Sequence, residues 1–328
     1  MIRVAFDAMG GDYAPAEAVR GALQAASDQL QVLLFGDLDR LTKELSTHPA
    51  NPAVSGVPTS QEVTMHDHPV KAYRQKPDSS LRRAVEAVHL NQADAVVSAG
   101  NTGAAMTAAL LTFGAVPGVE RPAIAAPLPT ALGRALLLDA GANVDCDASN
   151  LCEFAMMGSI YAQAAWGLAS PVVGLLNIGE EPSKGNSVTK QSYERLKALP
   201  LHFIGNVEAR ELFAGKADVV VADGFVGNVL LKAGEGVAEM ISGALKDLAP
   251  AIGPDVVKNV LQQLRSKMDY AVYGGAPLLG LNGVCFIGHG RSGASAIANA
   301  IHAAARCAES GVVQRIQKYA IDQQVANG

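Results

Sequence analysis

Short runs rich in Val, Leu, Ile and Ala alternate with helix-period segments along the whole chain, and that alternation constrains the fold more than any other feature. The strand-like runs span residues 2–6, 31–35, 95–98, 123–127, 135–139, 172–177, 202–204, 219–222 and 284–287. Their apolar residues are consecutive, so both faces of each strand need burial, as in a parallel sheet. Helical patterns fill the gaps, for example at 16–30, 81–90 and 150–167. Strand and helix in alternation predict an α/β fold with three layers, α/β/α, around a largely parallel sheet. No Ser/Gly-rich linker and no internal repeat interrupts the 328 residues, so positions 1–328 read as a single α/β domain.

One segment leaves the alternation. Apolar residues at 226, 229, 230, 233, 237, 240, 241, 244, 245 and 248 share one helical face. Pro250 and Pro254 bracket a turn, and Val256, Val257, Val260, Leu261, Leu264 and Met268 begin a second face. The pattern predicts a protruding helical hairpin at about 226–269. Two uses fit it: packing, in the core or between two copies of the chain, or a membrane-touching tip. Leu248, Ala249, Ala251 and Ile252 would form that tip, flanked by Lys246 and Lys258 as at an anionic lipid surface.

Charge and composition exclude several function classes. The formal net charge is −5, and Phe, Tyr and Trp number 8, 7 and 1, so neither a basic field nor stacking aromatics favour nucleic acid. Cys146, Cys152, Cys285 and Cys307 form no CxxC pair and have no histidine cluster beside them, which argues against a zinc site and suits a reducing, cytoplasmic setting. The acidic residues lack metal-cluster spacing. No cofactor is expected. The N-terminus reads as a strand without a signal peptide's apolar stretch, and no apolar run approaches the ~20 residues of a membrane span.

Four strands leave in the same way. Phe6 runs into Asp7-Ala8-Met9-Gly10-Gly11-Asp12, and Ser98 into Ala99-Gly100-Asn101-Thr102-Gly103. Leu138 runs into Asp139-Ala140-Gly141-Ala142-Asn143, and Ala222 into Asp223-Gly224-Phe225-Val226-Gly227-Asn228. Ligands of open α/β sheets bind outside the carboxyl ends of the strands, so these exits are expected to converge on one cleft. Gly100–Gly103 precedes a strong helix former, which makes it an anion site of free backbone N–H groups. A second anion loop, Gly179 to Asn186, holds Lys184. A third, Gly288-His289-Gly290-Arg291-Ser292-Gly293, places a histidine between glycines, where it is free to move a proton near neutral pH. The Gly100–Gly103 exit is neither GxGxxG nor GxxxxGK[ST], and no GxSxG elbow is present in the chain. Orientation and electrostatics, without a covalent intermediate, suit these residues best. Lys71, Arg74, Lys76, Arg82 and Arg83 form a basic island in an acidic chain, either a solvated face or a dock for an acidic partner.

Taken in order, these motifs resemble the bacterial phosphate acyltransferases of phospholipid synthesis. The resemblance rests on Phe6 to Pro15 (FDAMGGDYAP), Arg74 to Leu81 (RQKPDSSL), Ser98 to Ala104 (SAGNTGA) and Leu138 to Asn143 (LDAGAN). It continues at Asn177 to Glu181 with Lys184-Gly185-Asn186, at Asp223 to Asn228 (DGFVGN), and at Tyr273 to Gly280 (YGGAPLLG). It implies attack of inorganic phosphate on the thioester of a long-chain acyl carrier protein, giving acyl phosphate and free carrier. It also implies a homodimer with a fold like isocitrate and isopropylmalate dehydrogenases, related to phosphotransacetylases, and a membrane-bound glycerol-3-phosphate acyltransferase as the next enzyme.

On that reading Lys184, His289 and Asn101 are the catalytic candidates. Gly100, Thr102, Gly103, Asn186, Asn228 and Ser292 are candidates for phosphate or substrate binding. Asp7, Asp139 and Asp223 support the loops, because a bare carboxylate would repel phosphate. The basic island would receive the acidic carrier protein. Alternatives are an acyl-CoA-dependent phosphotransacetylase, a nicotinamide-dependent dehydrogenase on the same fold, and a non-catalytic positioning protein at the membrane. The setting expected is cytoplasmic, with peripheral contact at the inner face of the cell membrane through the hairpin.

Overall fold

The computed structural model describes residues 1–268 and 274–327, which fall into two compact units. Of the described residues, the first unit holds 1–122, 164–166 and 274–327, and the second holds 123–163 and 167–268.

The chain begins in the first unit with β1 (Ile2–Asp7), α1 (Ala16–Ala25), β2 (Leu30–Gly36), α2 (Leu38–Leu45), β3 (Val54–Pro58), α3 (Pro69–Gln75), α4 (Ser80–His89), β4 (Ala95–Ser98) and α5 (Thr102–Phe113). It continues with β5 (Ala123–Thr130), β6 (Gly133–Leu138), α6 (Ala148–Trp166), β7 (Val172–Leu176), α7 (Ser187–Lys197), β8 (His202–Val207), α8 (Ala209–Ala214), β9 (Val219–Val221), α9 (Gly224–Asp247), α10 (Ala249–Ile252) and α11 (Pro254–Met268). The first unit is completed by β10 (Ala276–Leu279), β11 (Cys285–Ile287), α12 (Ala294–Glu309) and α13 (Val312–Asn327).

The first unit orders its strands β3-β2-β1-β4-β11-β10, all parallel except β10, which pairs antiparallel with β11. The second orders β5-β6-β9-β7-β8, where only the β5–β6 hairpin is antiparallel. The fold is therefore α/β with mostly parallel strands. The central strands have the composition such a sheet requires. Every residue of β4 and β9 is buried, and Leu136, Leu137 and Leu138 of β6 are fully enclosed. Burying each such side chain contributes about 1.5–3 kcal/mol.

Two strands and one boundary differ from the sequence expectation. β3 (VSGVP) contains Gly and Pro and β10 (APLL) contains Pro, which weaken the local strand signal; β3 is an edge strand, where Pro is tolerated. The helix expected at 16–30 stops at Ala25: Ala26 is extended, and a Ser27–Leu30 bridge turns the chain into β2. The expected hairpin segment holds α9, α10 and α11. Position 269 and Tyr273 of the YGGAPLLG motif lie outside the described residues. Along α9 to α11, Phe225, Val229, Val237, Met240, Leu248, Ile252 and Val256 are exposed.

Strand register brings the loop-bearing ends level within each unit. In the first unit Asp7 and Ile287 both pair with Ser98, so β1, β4 and β11 end side by side. In the second, Leu138 and Leu175 both pair with Val221, which aligns the ends of β6, β7 and β9.

Candidate active site

The first unit brings three loops together at its strand ends. Asp7, 2% exposed, accepts hydrogen bonds from Ser80 Oγ at 2.6 Å and Ser98 Oγ at 2.7 Å. Ser98 Oγ accepts from the Gly100 N–H at 3.2 Å, so the carboxylate is linked through one hydroxyl to the start of the Gly100–Gly103 loop. Burial pushes the Asp7 carboxyl above its ordinary range, and Ser80, Ser98 and the Met9 and Gly10 N–H groups offset part of that rise. A Cβ on Gly10 would lie 2.6 Å from Asp7 Oδ2 and 2.9 Å from Gly100 N, so the close approach of the two loops requires glycine. The third loop is tied to both others: Gly288 N donates to Ser98 O and Asp12 N to Gly290 O, each at 2.8 Å.

His289 is half-buried on that third loop. Its Nδ1 accepts from the Arg291 N–H at 3.1 Å, which places the proton of the neutral ring on Nε2. Ser292 N donates to His289 O at 2.9 Å. The following helix does not offer an open anion site, because Ala294 N at the start of α12 already donates to Glu17 Oε2 at 2.6 Å. The start of α5 differs. Thr102 and Gly103 are its first residues, whose N–H groups have no acceptor within the helix. Asn101 caps α5, with Oδ1 accepting from Ala104 N at 3.0 Å. Its Nδ2 donates to the carbonyl oxygens of Met65 and Asp67 at 3.1 Å and of Thr64 at 3.4 Å.

The second unit gathers another set. Asp139 is fully buried and accepts from five donors: the backbone N–H groups of Ile124, Gly141, Ala142 and Asn143, and Asn143 Nδ2. Burial raises its carboxyl above the ordinary range against the opposing pull of these donors. Asp223 caps α9, accepting from Phe225 N and Val226 N at 3.0 Å. A Cβ on Gly227 would collide with the Asp139 carbonyl oxygen, so glycine lets α9 lie directly on that loop. Asn228, exposed on the next position of α9, stands against Gly141.

Lys184 and Asn186 occupy the loop after β7. Asn177 Nδ2 donates to Lys184 O at 3.3 Å and Asn206 Nδ2 to Glu181 O at 2.8 Å, which closes the loop on the unit's core. Gly185 has φ +90° and sits against Asn177 and Thr189, so no side chain fits there. Asn186 caps α7 through Thr189 N at 2.9 Å. Lys184 is exposed, its stem lies over Gly179, and its Nζ meets no acceptor among the described residues. Neighbouring Glu180 is paired with Lys216 at 2.7 Å.

The five residues of the basic island do not present five free charges. Lys76 pairs with Asp67 at 2.6 Å, Arg82 pairs with Glu86 at 2.8 Å and lies over the Tyr73 ring, and Arg83 pairs with Asp78 at 2.5 Å. Lys71 and Arg74 on α3 are exposed. Among the described residues no group of His, Cys, Asp and Glu is placed to hold a metal ion, and no helix is long and apolar enough to cross a membrane.

Known proteins place this architecture. The family described as "Fatty acid synthesis protein" matches residues 2–315. A phosphate acyltransferase from Desulforamulus reducens is 50% identical over 97% of each chain. The chain belongs to the phosphate acyltransferase family. A further member, from Pelotomaculum thermopropionicum, is 46% identical over 96% of this chain and 94% of its own. Among solved structures, a phosphotransacetylase from Streptococcus pyogenes shares the fold with TM-score 0.63 at 18% identity, covering 94% of both chains. A 4-hydroxythreonine-4-phosphate dehydrogenase from Klebsiella pneumoniae does so with TM-score 0.55 at 14% identity, over 94% of this chain and 99% of its own.

For this member of the phosphate acyltransferase family, sequence reasoning singled out the aspartates and passed over their partners. Ser80, Ser98, Asn143 and Asn206 each bind a loop of the candidate site. The signal available for Ser98 and Asn143 was their position inside the glycine motifs. Asn206, 3% exposed in β8, gave none.

Proposed function

We propose that the chain transfers the acyl group of a long-chain acyl carrier protein thioester to inorganic phosphate, yielding acyl phosphate and free carrier, as an early step of phospholipid synthesis. The observation that supports this most directly is the start of α5 in a member of the phosphate acyltransferase family. There two helical N–H groups lack intrahelical acceptors beside a glycine loop fixed by Asp7 and Ser98.

A phosphate oxygen bonds to the thioester carbon, the carbonyl electrons move to its oxygen, and the C–S bond then breaks as the carbonyl re-forms. Phosphate is its own nucleophile, so no enzyme serine or cysteine is required, and orientation can supply about 7–11 kcal/mol of the barrier. In the first unit Gly100, Thr102 and Gly103, with Ser292, are assigned to phosphate; in the second the amides of Asn186 and Asn228 are assigned to substrate binding. Lys184, with an ammonium that meets no internal acceptor, is assigned to the developing oxyanion. The sulfur leaves as a thiolate of pKa near ~8.5, and His289 Nε2 is assigned to protonate it. Asp7, Asp139 and Asp223 hold loops and touch no reacting atom.

Lys71 and Arg74 are assigned to docking the acidic carrier, with Lys76, Arg82 and Arg83 shaping that face. The exposed apolar residues of α9 to α11 support a homodimer and peripheral contact with an anionic membrane. A cytoplasmic enzyme so placed would pass its acyl phosphate to a membrane-bound glycerol-3-phosphate acyltransferase. The deciding experiment measures phosphate-dependent release of free carrier thiol, with the acyl carrier protein and acyl-CoA thioesters offered side by side. Release from the carrier with the higher kcat/KM is expected. Preference for acyl-CoA, or no release at saturating phosphate, overturns the proposal.

A further inference from the structure

Asn101 joins two segments that the proposed reaction would use for different ends. Its Oδ1 caps α5, the helix assigned to phosphate, while its Nδ2 is turned onto the carbonyls of Thr64, Met65 and Asp67. That short loop is closed on itself, with Asp67 Oδ2 accepting from Thr64 N at 2.7 Å and Thr64 Oγ1 at 3.1 Å. From the other side Lys76 Nζ donates to Asp67 Oδ2 at 2.6 Å and to Glu62 O at 2.9 Å. Lys76, with the Thr64 N–H, holds the Asp67 carboxyl below its ordinary range, so the clasp stays ionic well into acid.

The loop leads directly into α3, which exposes Lys71 and Arg74. α3 is itself fastened to α5: Tyr73 and Thr112 share a hydrogen bond of 3.3 Å, and a Cβ on Gly103 would lie 2.9 Å from Pro69 Cγ. An amide is the one side chain that serves both ends of this joint. Aspartate would cap α5 but set a charged oxygen against three carbonyls, and serine would cap it without reaching them.

We infer that Asn101 is a positioning residue that couples carrier-protein docking on α3 to the anion-binding start of α5 through the Thr64–Asp67 loop, an inference that rests on the acyl-carrier reading above. The phosphate-facing groups are then the backbone N–H groups of the loop, and the Asn101 side chain keeps the docking helix in register with them.

Asn101→Ser separates the two ends, because it retains a cap and loses the reach. With acyl carrier protein thioester and phosphate varied independently, KM for the carrier thioester should rise about tenfold while KM for phosphate stays within about twofold. Asp67→Ala opens the same clasp without touching α5 or the docking residues and should give the same split. The double variant should be no worse than the more affected single one, since both cut one connection. Hydrogen exchange should quicken at residues 62–68 in both single variants and stay unchanged elsewhere. A rise in phosphate KM with carrier KM unchanged would make the Asn101 side chain a phosphate ligand, and unchanged values of both would leave it no role; either overturns the inference. Lys71→Glu combined with Arg74→Glu tests the underlying reading. If that variant keeps its carrier KM, docking on α3 is wrong; if its carrier KM rises while that of Asn101→Ser does not, the coupling alone fails. Should Asn101→Ser not fold, Asp67→Ala decides by the same criteria.

Discussion

Asp7 in the first unit and Asp139 in the second each stand where a buried strand passes into a glycine-rich turn, yet they are held differently. Asp139 is bound by one side-chain amide and by four backbone N–H groups, whose directions are set by the fold. Asp7 receives two serine hydroxyls as well as backbone N–H groups, and a hydroxyl can turn to suit a changed partner. The Asp139 turn is thus locked to a single chemical form of its carboxylate. The Asp7 turn tolerates a change of partner and passes its orientation to Gly100 through Ser98. A fixed loop and an adjustable loop of nearly the same sequence pattern make different demands on substitution.

The largest effect is expected from Asp139→Asn. Whichever way the amide turns, its NH2 group faces backbone N–H donors that cannot rotate away: those of Ile124, Gly141 and Ala142 at the Oδ1 position, or that of Asn143 at the Oδ2 position. A loss of about 3–5 kcal/mol in urea unfolding is expected; a loss under about 1 kcal/mol would remove the contrast with Asp7. Gly227→Ala comes next, because the new methyl meets the backbone oxygen of Asp139. It should cost about 2–3 kcal/mol by the same measurement. Lys184→Ala leaves both aspartate turns untouched. It should lower kcat at least about tenfold, ~1.4 kcal/mol of barrier, with thermal unfolding unchanged. Near-normal turnover would take Lys184 out of the site.

Asp7→Asn should have the smallest effect on stability, about 1 kcal/mol at neutral pH, since Ser80 or Ser98 can turn to accept from the new amide. Its pH profile sharpens the comparison. Burial raises the folded-state value of Asp7, so the folded protein binds this proton more tightly than the unfolded chain. The stability from this group is fully present below the unfolded value and is lost as pH climbs through the raised folded one. Asp7→Asn should remove that part of the decline from denaturation curves taken in pH steps. An unaltered slope would show that Asp7 is not the group responsible.

Much of the fold was legible because its signals are local. Consecutive apolar residues marked the central strands, and glycine with Asp, Asn or Thr marked the turns after them. β3 and β10 escaped because they are short and interrupted by Pro, and in β3 by Gly as well. The candidate site was legible as a set of loops but not as a set of contacts. Lys76, Arg82 and Arg83 read as free charges until folding supplied their acids, whereas Lys71 and Arg74 remain exposed. The start of α12 read as an anion site until Glu17 filled it from 277 positions away.

By itself, then, the sequence determined the α/β class, the order of the glycine turns and the family, since each depends on residues close together in the chain or on motifs in a fixed order. Tertiary structure alone decided what each polar side chain is bound to. Ser80 reaches Asp7 across 73 positions, and Asn101 meets Met65 across 36. A hydrogen bond forms only within about 3 Å, and which distant segments come that close is settled by packing.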